Sequence, residues 1–570
     1  MSISTTRPSS TQHGGGTTPP SGPRVAGPYV SGPARMAPAP RIPLWAAALF
    51  VAALLCAGLL LERTSAVRQY RFVSLDMATK KDALGSPRKR QLLAEMGLPD
   101  VHAVVPENTT HTSDLLEQAR RDAPHSLVAN GWPVLAIRTD HASLYAPESG
   151  IVANPGQRGR EWERPAALVY YRDGQERLAT GAGLRLHGGG SRAQGISYRL
   201  YFRKSYGEAE LPADLFFPDA HGTTRRLVLR KEKTTVPGFV NMLGLDVMGL
   251  LGAQTPGYSP VVYTLNGKDM GLSLLSEHIS VNPWKQKLGH DNFLLFSFNN
   301  NRGSNNNGRK EFAAMRTLSL WVRHVPAPLT MRQAERRMDL RSMCAIIFGS
   351  VYLSVNDWNQ GACLLDRSQP QPRWAHIVFD LDQAFQNITP GQPLEQRPGW
   401  KFAFDEDRAV RMGLFLRLWK ESPEFKDYFL SYVTHALNHT LNDAARERLF
   451  AHYEGMDRLA DDTLFDIDLA RRMLANRAEE VLEETVRDLK APRWFTVRVD
   501  APGSVRIDGE PGYTKYTGRY FEGQRVTVDP PQDDCGRFLH WEVDGARLEG
   551  RTLDLPVHAA MHIRAVCATN

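Results

Sequence analysis

The chain changes its secondary-structure pattern twice along its length, and this order limits the folds that it can adopt. Short apolar runs between Gly, Pro and Asp breaks recur from Trp132 to Glu232, as they do in strands. Apolar residues at three- and four-residue steps dominate residues 405–490, which indicates helices. The strand-like pattern returns from Trp494 to Cys567. Strands followed by helices predict an α+β fold, and the last segment predicts a small, separate all-β module.

Individual segments add detail to this outline. The two apolar runs of Ser259–Glu277 are joined by Asn266-Gly267, which predicts a β-hairpin. Helical spacing is present in Asn241–Gly252 and in Leu329–Leu353. The strands predicted in the first part are Trp132–Asp140, Ala166–Gly174, Gly181–Arg192, Ser197–Gly207 and Arg225–Glu232.

Two acidic clusters stand between the strand-rich and the helical parts. Asp357 follows the apolar run Ala345–Val355, and Asp380 and Asp382 follow the run Trp374–Phe379. An apolar segment that ends in a carboxylate delivers that acid from a buried scaffold to the edge of a cleft. In phosphoryl transfer one such acid orients the attacking hydroxyl and another holds Mg²⁺. The alternative interpretation is that these residues cap the ends of ordinary helices or strands.

The N-terminal region has a different composition from the rest of the chain. Residues 1–42 are rich in Pro, Gly, Ser and Thr and contain no Asp or Glu, which predicts a disordered tail. Pro43–Leu61 follows without a charge and is long enough to cross a bilayer as one helix. A cleaved signal peptide and a buried core helix are the alternatives. The four Arg residues of the acid-free tail favour a cytoplasmic N-terminus, with the main domain outside the inner (cell) membrane.

Charge and cysteine content exclude some classes of function. The net charge is +7, and acids and bases are interleaved through most of the chain, which does not indicate a nucleic-acid-binding protein. Of the five cysteines, Cys344 and Cys363 lie in apolar contexts and are predicted to be buried thiols. Cys535 and Cys567 both fall in the β-like tail, where we predict a disulfide. No Cys or His spacing is typical of a zinc site.

Several stretches within residues 130–485 resemble the CotH family, atypical protein kinases of the spore coat protein H type. The matching stretches are Ser149–Leu168, Leu184–Arg192, Val261–Ile279, Asn356–Gln360 and Phe379–Phe385. The resemblance implies a divergent kinase-like fold with a strand-rich N-terminal lobe and a helical C-terminal lobe. It also implies transfer of phosphate from ATP to protein hydroxyls with Mg²⁺ or Mn²⁺. The tail, through Leu539–Gly545, is similar to β repeat modules that end in a Gly-Trp and Asp-Gly pattern.

The resemblance assigns roles to the acidic residues. Asp357 resembles the acid that accepts the proton of the substrate hydroxyl. Asp380 resembles the metal-holding acid, and Asp382 supports it, because residues two apart in an extended chain share a face. Relatives place an Asn several residues after the catalytic acid as a further metal ligand. Here Asn359 is the candidate, at a shorter spacing.

The nucleotide-binding residues follow the family less closely. Glu277 is expected to pair with a phosphate-binding cation, as in the Lys–Glu pair of kinases. The Gly188–Gly190 run with Arg192 is expected to approach phosphates. Relatives then have a Pro-Lys-Lys-Ser run, where this chain has Gln194–Ser197 and lacks the expected Lys. Arg199 and Lys204 are the candidate replacements, although Arg and Lys bind phosphate differently.

These observations divide the chain into five predicted parts. They are a disordered tail (1–42), a transmembrane helix (43–61), a helical stalk or linker (62–128), a CotH kinase-like domain (129–490) and a β-rich module (491–570). The predicted function is that of a membrane-anchored protein serine/threonine kinase of the cell envelope. The main alternative is a kinase-like scaffold or binding protein without activity, which the missing Lys and the scarcity of ATP outside the membrane favour. A carbohydrate-processing enzyme with Asp357 and Asp380 as an acid/base pair is a third interpretation.

Overall fold

The computed structural model describes most of the chain from residue 112 onward. The described residues are 112–189, 192, 197–218, 220–232, 238–299, 302–303, 307–355, 360–386, 388, 399–400, 410–460, 464–531 and 535–568. The predicted tail, the predicted transmembrane segment and most of the predicted stalk lie outside them. Among the residues that the structure describes, no helix has the length and apolar character needed to cross a membrane.

A closed seven-stranded barrel forms the strand-rich part. Its strands run in the order β1-β2-β3-β4-β7-β9-β8, and the parallel pairing of β8 with β1 closes it. Alternate residues such as Leu184, Leu200 and Leu227 fill its interior, as the two-residue period of a strand requires. The strands are β1 (Val134–Arg138), β2 (Arg164–Arg172), β3 (Gln175–Leu186), β4 (Tyr198–Tyr201), the separate pair β5 (Leu211–Pro212) and β6 (Thr223–Thr224), β7 (Arg226–Lys231), β8 (Tyr258–Leu265) and β9 (Lys268–Glu277).

The predicted hairpin is confirmed as β8 and β9. Its two turn residues, Asn266 and Gly267, have φ angles of 53° and 77°. These left-handed values are those of the turn that joins strands with two residues, and they explain the Asn-Gly pair. Short helices flank the barrel, namely α1 (Thr112–Asp122), α2 (His125–Ala129) and α3 (His141–Tyr145), with 3₁₀ turns at Arg160–Trp162 and Ala213–Leu215. Leu115 and Ala119 of α1 are buried, so the end of the segment expected to be a stalk packs on the folded body.

A helical part with a four-stranded sheet follows the barrel. The sheet has the order β11-β10-β12-β13, with β10 (Phe293–Asn299), β11 (Arg302–Gly303), β12 (Gly361–Asp366) and β13 (Trp374–Ile377). The helices are α4 (Val240–Leu250), α5 (Val281–Leu288), α6 (Arg309–His324), α7 (Met331–Glu335), α8 (Leu340–Tyr352), α9 (Val410–Glu421), α10 (Pro423–His435), a π-helical turn (Ala436–Thr440), α11 (Asp443–Asp457), α12 (Ile467–Leu474) and α13 (Arg477–Leu489).

One predicted helix is divided in two. The segment expected to be a single helix over Leu329–Leu353 contains α7 and α8. Asp339 lies between them, and its carboxylate accepts a hydrogen bond from the Ser342 amide at 3.2 Å, which caps the start of α8. Nearly all of α8 is buried, so no polar face was available to mark its boundary in the sequence.

The C-terminal module has its own sheet and its own core. Its strands are β14 (Trp494–Ile507), β15 (Glu510–Phe521), β16 (Arg525–Asp529), β17 (Phe538–Val543), β18 (Ala546–Leu548), β19 (Leu553–Pro556) and β20 (Met561–Cys567). Their order is β18-β17-β20-β14-β16-β19, with β15 paired to β14. Trp541 is fully buried in the core. The predicted disulfide between Cys535 and Cys567 is confirmed.

Candidate functional site

A cationic surface covers the outer face of β3, β4 and β7. The interior residues of these strands, such as Leu184, Leu200 and Leu229, alternate with Arg185, Arg199 and Arg230 on the other face. Arg185 lies directly opposite Arg199 in the strand register. Several like charges held together by a rigid sheet repel one another, so this face favours the approach of an anion.

A buried imidazole lies between two of these arginines. The Nδ1 atom of His187 is 2.8 Å from Arg199, and its Nε2 atom is 3.1 Å from Arg230. A guanidinium only donates hydrogen bonds, whereas a neutral imidazole has one acceptor nitrogen, so the ring cannot accept from both. Burial, followed by the charges of Arg199 and Arg230, holds the pKa of His187 well below its usual range. The two guanidinium groups therefore offer more donors than the ring can accept, and Arg199 Nε is buried without a hydrogen-bond partner.

Asp380 brings a carboxylate to this cationic face. It follows β13, pairs with Arg230 and, like Arg230, has a side chain that is only 14% exposed. Its backbone φ of 66° is left-handed, a conformation that Asp adopts more readily than most residues. Arg230 thus stands between an imidazole and an acid, which places positive and negative groups side by side in one half-buried site.

A second acid, directly after β7, lies near the same loop. Glu232 is buried, and its Oε2 atom accepts a hydrogen bond from the Asn241 amide at 3.2 Å. The Asn241 side chain in turn accepts one from the Leu381 amide at 2.9 Å. Burial raises the pKa of Glu232 to about 8, and the charge of Asp382 adds to the shift. The end of β7 is therefore connected to the Asp380–Asp382 loop in two ways, directly through Arg230 and indirectly through Glu232 and Asn241.

The donors at this loop are of the kind that a hard divalent cation prefers. Asp380 and Asp382 offer carboxylate oxygens, which suit Mg²⁺ and Mn²⁺. The Oε1 atom of Glu232 and the Nδ2 atom of Asn241 are buried next to them without a hydrogen-bond partner. Within the described part of the chain, no group of three or more His, Cys, Asp or Glu residues is arranged to hold a metal ion. Asp380 and Asp382 are the groups that would hold a cation, because the Asn241 Nδ2 group only donates hydrogen bonds.

One family model matches the part of the chain that contains this site. A family model described as CotH kinase protein matches residues 184–460, which include β7, α4 and the Asp380 loop. Residues 184–460 are thus similar to the CotH family, and the part of the chain that contains them is named the CotH domain. The crystal structure of the Helicobacter pylori proinflammatory kinase CtkA is similar at 10% identity and a TM-score of 0.22, over 48% of this chain and 95% of that one. Among curated proteins, none matches the chain.

The structure describes some of the predicted site residues of the CotH domain and not others. Asp380 and Asp382 lie in one loop, next to the face that carries Arg199. Asp357 and Asn359 lie outside the described residues. Lys204 is exposed in a turn after β4.

Two predicted nucleotide-binding residues have partners elsewhere. The guanidinium of Arg192 donates to the backbone carbonyls of Pro155, Leu186 and Gln157, at 2.5 to 2.8 Å, and so holds a loop in place. Glu277 accepts from Lys287 at 2.9 Å and from the Gly257 amide at 2.8 Å. In the strand register it is opposite Leu227, whose side chain faces the barrel interior. Glu277 is therefore paired with a cation, but on the opposite side of the sheet from Arg230.

Sequence reasoning did not single out four residues that the structure brings to the site. They are His187, Arg230, Glu232 and Asn241. For Arg230 and Glu232 a signal was present, because they alternate with Leu227 and Leu229 in a predicted strand and must share the face opposite the core. Asn241 gave no such signal, since its role depends on a loop 140 residues away in sequence.

Proposed function

We propose that the CotH domain transfers the γ-phosphoryl group of ATP to protein hydroxyls with the help of Mg²⁺ or Mn²⁺. The observation that carries this proposal is the contact of Arg230 with both Asp380 and His187. Phosphoryl transfer needs carboxylates for the metal and fixed cations for the phosphate oxygens within one site. Asp380, Arg230 and Arg199 supply both kinds of group beside one another.

Each group has a role in this proposal. Asp380 and Asp382, with Asn359, would hold the cation, which when bound neutralises phosphate charge. Arg199 and Arg230 bind phosphate oxygens, since their guanidinium groups donate in a planar pair. Phosphate oxygens also supply an acceptor for Arg199 Nε, which is buried without a hydrogen-bond partner. Asp357 orients the substrate hydroxyl and accepts its proton.

The arginines replace the lysine that relatives have. The chain has Gly195 and Ile196 where a Lys is expected, but Arg199 lies on the adjoining strand β4 and contacts His187. Arg230, on the neighbouring strand β7, adds a second charge. Because an Arg cannot lose its charge in the physiological pH range, nucleotide binding by this pair should not weaken at alkaline pH as binding by a lysine would.

The experiment is a nucleotide-binding and transfer assay on the full-length protein. Labelled ATP is titrated with Mn²⁺, with Mg²⁺ and with a chelator, and autophosphorylation is followed in parallel. We expect metal-dependent binding in the wild type, loss of that binding in Asp380→Asn, and binding without transfer in Asp357→Asn. Asp554→Asn, a change at an exposed acid of the C-terminal module, is the matched control. Wild-type binding without transfer would support the scaffold alternative, and no binding at millimolar nucleotide would refute the enzyme.

We further propose that residues 43–61 anchor the protein in the inner (cell) membrane as a single pass, with the N-terminus in the cytoplasm. The support is the uncharged length of this segment after an Arg-containing tail without acids. The disulfide of the module is consistent with an oxidising compartment. A reporter that is active only outside the cytoplasm, fused after Asn570, should be active. An active N-terminal fusion with an inactive C-terminal one would reverse the orientation. Such an orientation also requires a source of ATP outside the cytoplasm.

A further inference from the structure

We infer that Asn241 is a positioning residue, which holds the Asp380–Asp382 loop in the geometry that a divalent cation requires. The inference rests on the proposed function, because it concerns the same two acids. Leu381 lies between them, and its amide is the donor in the 2.9 Å hydrogen bond to Asn241 Oδ1. A constraint on the middle residue of three limits the positions of both neighbours.

The same helix also holds the side chain of Leu381. Gly244 is one turn after Asn241 in α4, and a Cβ atom placed on it would lie 3.0 Å from Cδ1 and 3.1 Å from Cβ of Leu381. Leu381 is 3% exposed, so its side chain has little room to move away. One turn of α4 therefore contacts the loop through a hydrogen bond to the backbone and through close packing against the side chain.

Asn241 is itself held by Glu232. The side chain of Asn241 is fully buried, and its backbone amide donates to Glu232 Oε2 at 3.2 Å. Glu232 lies two residues after Arg230, the partner of Asp380. A displacement of β7 would thus move the contact to Asp380 and the contact to Leu381 together. The cationic face and the acidic loop therefore keep their relative position.

This network contains buried polar atoms that the fold leaves unpaired, as do several places elsewhere among the described residues, for example Asn282 Nδ2 and Tyr352 Oη. Asn241 Nδ2 and Glu232 Oε1 are buried and lack hydrogen-bond partners, and leaving such atoms unpaired is costly. Asn438, at the junction with the C-terminal module, offers the contrast. It is also buried and also accepts a backbone amide at 2.9 Å, from Arg519, but its Nδ2 atom donates to the Arg519 carbonyl at 2.9 Å.

The test compares these two asparagines in the full-length protein. Binding of a fluorescent ATP analogue is measured against Mn²⁺ concentration, alongside binding in a chelator and thermal unfolding. We expect Asn241→Leu to raise the Mn²⁺ concentration that half-saturates nucleotide binding by about 10- to 100-fold, the usual loss when a residue that orients a metal ligand is removed. Nucleotide binding in the chelator should not change. The matched variant Asn438→Leu should lower the unfolding temperature and leave the Mn²⁺ requirement as it is.

A second variant keeps the inference open to refutation if Asn241→Leu does not fold. Gly244→Ala adds one methyl group against Leu381 and favours the helix itself, so it should raise the Mn²⁺ requirement without loss of fold. An unchanged Mn²⁺ requirement in a folded Asn241→Leu, or failing that in Gly244→Ala, would overturn the inference while the proposed function stands. If the wild type shows no metal-dependent nucleotide binding, the proposed function and this inference are both overturned.

Discussion

The candidate site of the CotH domain, named the cleft here and made of the arginine-bearing face of β3, β4 and β7 with the Asp380–Asp382 loop, differs from the C-terminal module in its buried polar atoms. In or beside the cleft, buried side-chain atoms of Arg199, Glu232, Asn241 and His278 lack partners. Among the described residues of the module, from 491 to 531 and from 535 to 568, no buried side-chain nitrogen or oxygen is unpaired. Tyr520, for example, pairs with Tyr516 and Asp508. Buried unpaired atoms also occur outside the cleft, for example Trp132 Nε1 and Tyr352 Oη, so the contrast separates the module from the CotH domain as a whole.

At the junction between the two regions, His439 Nε2 is buried without a hydrogen-bond partner, but other polar side chains are paired. The side chains of Asn438 and Thr434 pair with Arg519 and Gln524 of β15 and the turn after it. Arg519 also pairs with Glu479 of α13.

The largest effect should come from the buried acid of the cleft. The pKa of Glu232 is raised from 4.5 to about 8 in the fold, so the folded state retains a proton that the unfolded state releases between these pH values. Stability therefore falls as pH rises through this window, by up to about 5 kcal/mol for this group. Glu232→Gln cannot titrate and should remove that part of the fall. Denaturant unfolding of both proteins from pH 5 to 8 measures the difference, and parallel curves would contradict it.

Loss of the disulfide should lower the stability of the module and leave nucleotide binding by the cleft unchanged. The bond closes a segment with a sequence separation of 32, which in the chain-entropy model stabilises by about 3.5 kcal/mol. The double variant Cys535→Ser/Cys567→Ser should lower the stability of the module by this order and keep metal-dependent nucleotide binding. Thiol labelling of the unfolded, non-reduced wild type provides the control, since Cys535 and Cys567 should stay unlabelled while Cys344 and Cys363 react.

Nucleotide affinity should depend more on where a positive charge lies in the cleft than on the total charge of the face. Arg230→Met removes the partner of Asp380 and should weaken nucleotide binding by about 10-fold or more, given the roughly 1.5–3 kcal/mol of a hydrogen bond to a charged group. Arg226→Met removes the same charge from the same face, but that guanidinium lies over the Tyr201 ring at 5.6 Å. Its effect on nucleotide affinity should be smaller. Equal losses would mean that the face acts only through its total charge.

The smallest effect is expected at the surface of the module. Arg525 pairs with Asp554, and both side chains are 53% exposed. Exposed ion pairs contribute little to stability because water screens them. Arg525→Ala should therefore leave the unfolding midpoint and nucleotide binding unchanged within error. A clear loss of stability would show that the module depends on its surface pairs and would weaken its contrast with the cleft.

Local pattern alone determined much of the fold. The Asn266-Gly267 turn, the alternating strands from Trp132 to Glu232 and the helices of residues 405–490 depend on preferences of neighbouring residues, and these were predicted. The disulfide of Cys535 and Cys567 was predicted because only two cysteines lie in one β-like module. The family was recognised from stretches that include Asp380 and Asp382, since each stretch is contiguous in the chain.

Only the tertiary structure decided how distant segments meet. The parallel pairing of β1 with β8 closes the barrel and sets which strand faces are outside, and no local preference specifies that partner. It puts Glu277 on the interior side, with Lys287, and Arg230 on the outer face, with Asp380. Asn241 reaches Leu381 for the same reason, since a hydrogen bond between residues so far apart depends on how α4 packs against the loop. Sequence determines which chemical groups are available, and long-range packing determines which of them act together.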